Sequence, residues 1–141
     1  MKKNILFAFT ILILSFCVSP PEYSDGLLEN IPAIVDESDY FSISIFGEKL
    51  TQEYEWQMSL SLTDSDILVQ TLAVKDIAST PDSTFLYIVD AMNDTIKIFS
   101  ILNELNWVSE DSVSNFGTPD KIVFSGKNFT GRLEYQLLIK N

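Results

Sequence analysis

From residue 40 onwards the chain alternates between apolar and polar residues. In residues 41–46, Phe41, Ile43 and Ile45 fall on one side, and Ser42 and Ser44 on the other. In residues 56–63, Trp56, Met58, Leu60 and Leu62 alternate with Gln57, Ser59, Ser61 and Thr63. Successive side chains of a strand point to opposite faces, so this period marks strands with one buried face. Residues 67–74 form a more continuous apolar run, and residues 85–89 are rich in strand-forming types. In residues 95–101, Ile96, Ile98 and Ser100 face one way, and Lys97, Phe99 and Ile101 the other. Residues 105–108, 121–124 and 132–139 complete the set, and the connections at 91–94 and 125–128 are of hairpin length. No segment sustains the i, i+3, i+4, i+7 spacing of an amphipathic helix. The pattern predicts one antiparallel all-β domain over residues 40–141, a sandwich or small barrel of about eight short strands.

The N-terminus is of another kind. Lys2 and Lys3 precede residues 5–16, which are apolar except for Thr10 and Ser15. A basic start followed by an apolar run of about a dozen residues is the layout of a secretory signal peptide. The run falls short of the ~20 residues that span a bilayer, and Pro20-Pro21 stops any helix behind it. Residues 1–16 are therefore expected to be an export signal.

Leu14-Ser15-Phe16-Cys17 resembles the lipobox of bacterial lipoproteins, which reads Leu, a small or β-branched residue, Gly/Ala/Ser, then Cys. Leu14, Ser15 and Cys17 match, while Phe16 stands where a small residue is usual. The resemblance implies a diacylglyceryl group on the Cys17 sulfur, cleavage just before it, and acylation of the new amino group. Cys17 is the only cysteine, so it has no disulfide partner within the chain. Two or more acyl chains, at ~0.8 kcal/mol per buried CH₂, anchor a protein stably. Val18 occupies the position where an Asp resembles an inner-membrane retention signal, which points to the outer membrane. Residues 17–39 then read as the lipidated Cys and a tether, with Pro, Ser and acidic residues concentrated in 18–26. Residues 31–35 suit a first edge segment, and Asp36-Glu37-Ser38-Asp39 a turn.

Nine Lys and Arg stand against twenty Asp and Glu. Removing Lys2 and Lys3 with the signal leaves 7 − 20 = −13. Such a charge argues against nucleic acid as a partner, because that binding is driven by Lys and Arg. It argues equally against attraction to anionic headgroups. An acidic exterior favours solubility and suits a cationic partner.

Thr80-Pro81-Asp82 recurs as Thr118-Pro119-Asp120, 38 residues later. Residues 81–90, followed by Asn93-Asp-Thr-Ile-Lys-Ile-Phe99, are similar to one blade of the YVTN type of β-propeller. That resemblance implies an alternative fold of incomplete propeller-like blades, and with it a hydrolase or lactonase-like fragment. A closed propeller takes at least four blades of ~40 residues, and the domain has room for two or three.

The residues of most catalytic machinery are missing. There is no histidine, which removes the Ser-His-Asp triad and His-ligated metals. Cys17 is assigned to lipid, and no Gly-rich phosphate loop occurs. Asp36, Glu37 and Asp39, Asp64 and Asp66, and Glu110 and Asp111 offer oxygen ligands, but none has the spacing of a calcium loop. Trp56 and Trp107 lie in apolar strand runs that suit core packing. The expectation is no enzyme, no cofactor and no metal. It is an envelope lipoprotein with a binding or structural role, held through lipid on Cys17, with a protein partner of unspecified kind and no nucleic acid.

Overall fold

The computed structural model describes residues 26–78 and 83–140. The signal peptide, Cys17, the first part of the tether and the Thr80-Pro81-Asp82 copy of the repeat lie outside the described residues. The elements in chain order are β1 (Ala33–Asp36), β2 (Tyr40–Leu50), β3 (Glu53–Gln57), β4 (Ile67–Lys75), β5 (Phe85–Val89), β6 (Thr95–Ser100), β7 (Leu105–Ser112), a single helical turn α1 (Val113–Phe116), β8 (Lys121–Ser125) and β9 (Phe129–Lys140).

The strands form two antiparallel sheets, one in the order β1-β2-β9-β4-β7 and the other in the order β3-β8-β5-β6. The domain is thus a sandwich. Neither sheet closes on itself among the described residues, so the barrel is excluded. Nor is either sheet a run of consecutive strands, as a propeller blade is. β5 does pair with β6, but its other neighbour is β8.

The alternating residues behave as their period requires. Phe41, Ile43, Ile45, Leu68, Leu72, Leu133, Leu137 and Ile139 line the inner face of the large sheet. They meet Leu86, Ile88, Ile122 and Phe124 from the small one, all buried. Phe99 of β6 and Ile101 just beyond it are buried, while Ile98 faces solvent. The run at 56–63 leaves the ladder after Gln57. There Met58 N–H donates to the Asp120 carbonyl at 2.8 Å, and Ser59 gives its N–H and hydroxyl to the Asp36 carboxylate, both at 2.8 Å. These contacts carry the chain from the small sheet towards the large one.

β1 lies inside the stretch assigned to the tether and pairs with β2 as an edge strand. The chain engages the sandwich before that. Asn30 N–H donates to the Phe46 carbonyl, and its side chain exchanges hydrogen bonds with the backbone of Glu48 at 2.8 and 3.1 Å.

At the far side of the sandwich the edges are β6 and β7. Lys97 points inward there, its ammonium 5.6 Å and 5.3 Å from the ring centres of Phe99 and Trp107. An inward charge on an edge strand blocks pairing with another chain, and the two rings stabilise the cation. Gly47 and Gly131 face each other across β2 and β9. A Cβ on Gly47 would lie 2.5 Å from the buried Phe129 ring, so glycine is what lets that ring cover the strand.

Candidate functional site

Strand directions give the sandwich two distinct ends. β2, β4, β6 and β8 run from the first end to the second, and the other strands return. At the first end lie Asp36, Glu37 and Asp39 between β1 and β2, and Asp64 and Asp66 before β4. Asp90 and Asp94 in the β5–β6 hairpin, Asp111 at the end of β7 and Asp120 before β8 join them. At the second end Lys49, Lys75, Lys127 and Arg132 are interspersed with Glu29, Glu48, Glu53, Asp76 and Glu104. Most of the net charge of the chain is therefore carried at one end. The chain enters at the other, because β1 starts there.

Several carboxylates at the acidic end have structural duties. Asp36 holds Ser59, as described above. The Asp66 carboxylate accepts from Thr63 N–H at 2.7 Å. Asp90 Oδ1 accepts from the N–H groups of Met92 and Asp94, both at 2.8 Å, which closes the hairpin turn. Glu110 pairs with Lys140 at 2.7 Å. Among the described residues no three of His, Cys, Asp and Glu converge as a metal site would require. The acid pairs of the sequence are distributed over separate turns.

A pocket of about 250 Å³ opens at this end, lined by Asp90, Ala91, Met92, Thr118 and Asp120. Two sequence features meet in it: the 91–94 hairpin and the Thr118-Pro119-Asp120 turn. Backbone bonds fix the two walls together, with Asp120 N–H donating to the Val89 carbonyl at 2.9 Å. Met92 is 78% exposed at its mouth. The lining is more apolar than polar, with the two carboxylates at its wall, of which Asp90 Oδ1 is already taken by the hairpin N–H groups.

The outer face of the small sheet carries a second feature. Phe85 and Tyr87 stand on the same side of β5, with ring centroids 5.8 Å apart. Tyr87 shares its row with Val123 of β8 and Ile98 of β6. Sequence reading marked residues 85–89 only as a strand. The signal was the aromatic spacing i, i+2, which places both rings on one face.

The tryptophans pack as expected from their runs. Trp56 stacks on Tyr54 at 5.4 Å and 13°, and Trp107 meets Phe99 edge-on at 4.8 Å. Both lie against the core cluster. Cys17, the lipid-attachment residue expected from the lipobox, lies outside the described residues.

No protein-family model matches the chain, and no curated protein matches it. The solved structures that are similar in part include two β domains. One is described as Bacillus endospore appendages forming a family of disulfide-linked pili. It has 10% identity and a TM-score of 0.44, over 87% of this chain and 98% of that one. The other is a family 16 carbohydrate binding module, with 14% identity and a TM-score of 0.38, over 77% of this chain and 83% of that one. Likeness at this level assigns neither ligand nor activity.

Proposed function

We propose that the chain is a bacterial envelope lipoprotein of the outer membrane, anchored through lipid on Cys17, whose sandwich has a non-enzymatic binding or structural role. The signal-like N-terminus and the lipobox resemblance motivate the anchor. One structural observation supports the rest: the chain enters the sandwich at the end where acids and bases nearly balance, opposite the carboxylate-rich end. A tether from Cys17 to Asn30 would hold the near end at the membrane. The acidic end and the Asp90–Asp120 pocket would then face outward, where like-charge repulsion from anionic lipid also drives them. Fractionation of cells making the native chain and Cys17→Ala tests the reading. The native chain should enter the detergent phase, and Cys17→Ala the aqueous phase. Detergent partition of both would overturn it.

A further inference from the structure

The outward side of the five-stranded sheet differs in charge from the rest of the molecule. Register places Val35, Ser42, Gln136, Thr71 and Val108 in one row that crosses all five strands without a charge. On one side of it runs Tyr40, Leu138, Val69 and Glu110; on the other, Ala33, Ser44, Glu134, Ala73 and Asn106. Counting the outermost positions, the face holds Lys75, Arg132 and Lys140 against Glu110, Glu134 and the Asp76 carboxylate that pairs with Arg132, so 3 − 3 = 0. The whole chain carries −11. Four large apolar side chains are exposed on this face, with Val108 at 70%, Val35 at 45%, Leu138 at 43% and Ile67 at 36%.

We propose that this face binds the same face of a second copy of the chain, with the strands of the two copies antiparallel. Three arguments select that occupant. First, most of the surface of a chain this acidic repels its own kind, whereas this face has no excess of negative charge. Second, its size is adequate. Four strands spaced ~4.8 Å apart with about eight residues at ~3.4 Å each, and the four-residue β1 at their edge, cover ~590 Å². A stacked pair would bury ~1,200 Å², at the lower end of the ~1,200–2,000 Å² of specific interfaces. Third, the charge along the strands is polar. A two-fold axis lying between the faces along the Val35–Val108 row sets the acidic end of each copy over the other end of its partner, where four bases and five acids nearly cancel. The parallel arrangement would instead set the acidic ends together. The antiparallel stack brings Lys140 near the partner's Arg132, but each already has a carboxylate, Glu110 at 2.7 Å and Asp76 at 3.6 Å. Such an interface is isologous, so residues on the axis meet themselves. Gln136, exposed on the central strand, sits at the middle of that row.

The test uses the full chain carrying Cys17→Ala, so that no other thiol is present and the outcome is independent of the lipid anchor. Gln136→Cys places a thiol on the axis, and Ile98→Cys places one on the outer face of the other sheet. A short bismaleimide should link Gln136→Cys into a covalent dimer, because stacked faces lie ~10 Å apart and out of reach of a direct disulfide, and Ile98→Cys should give about tenfold less. Adding Val108→Glu to Gln136→Cys should suppress the dimer, because two carboxylates would meet at the axis. Equal dimer from the two cysteine positions, or dimer unaffected by Val108→Glu, would overturn the proposal.

Discussion

Replacing Tyr135 with phenylalanine tests how the core tolerates its polar groups. The Tyr135 hydroxyl is fully buried and donates to Gln70 Oε1 at 2.8 Å, and Gln70 is itself fully buried. Gln70 Nε2 already has no partner. Tyr135→Phe therefore leaves the whole Gln70 amide unpaired in an apolar interior, a cost of ~1–3 kcal/mol. Of a typical ~5–15 kcal/mol total this is large, and it lowers Tm by roughly 5–10 °C. Adding Gln70→Leu removes both orphaned groups, and replacing both partners by apolar groups of similar shape is nearly neutral. The double variant should recover to within about 0.5 kcal/mol of the native chain, or exceed it. Urea titration followed by the fluorescence of Trp56 and Trp107 measures all three. A double variant as unstable as Tyr135→Phe alone would refute the reasoning. Burial also keeps the Tyr135 hydroxyl protonated far above the ordinary tyrosine value of ~10. Only the unfolded chain can then release this proton. Its contribution is intact below pH ~10 and is lost as pH rises past it. Tyr135→Phe should accordingly show a shallower loss of stability between pH ~9 and ~11.

Other perturbations follow from single contacts. Gly131 has φ +154°, and a Cβ there would lie 3.0 Å from the Lys75 carbonyl. Gly131→Ala should cost ~1–3 kcal/mol by urea titration, and an unchanged midpoint would contradict it. Asp36→Ala removes the acceptor of both Ser59 bonds and should cost ~1–2 kcal/mol, whereas Asp64→Ala, at an exposed turn, should cost under ~0.5 kcal/mol. Limited proteolysis should leave a core fragment beginning upstream of Asn30, because that residue is bonded to Phe46 and Glu48; a fragment beginning near Tyr40 would contradict the edge-strand role of β1.

The fold was legible wherever one face of a strand is buried. Phe41, Ile43 and Ile45 declare their face by alternation with Ser42 and Ser44, and the structure buries all three. The partners of each strand were not legible. Nothing local to residues 129–140 says that β9 joins β2 to β4, because that pairing is set by burial across distant parts of the chain. β1 was visible only as an apolar stretch within a polar segment, since an edge strand whose residues are all exposed has no buried side to reveal it. Period two also continues to Thr63, although the ladder stops at Gln57. Extended backbone alternates whether or not it is paired, and here Asp36 and Asp120 supply its partners instead. Of the candidate site, the turns at 91–94 and 118–120 were each legible from their residue types. Their meeting in one pocket required the tertiary fold.

The central functional claim is the lipid anchor, and the most direct measurement is the mass of the N-terminal peptide of protein purified from membranes. The account predicts a mature chain that begins at Cys17, with a diacylglyceryl thioether on its sulfur and an acylated amino group. A peptide retaining residues 1–16, or one cleaved elsewhere with Cys17 unmodified, would contradict it.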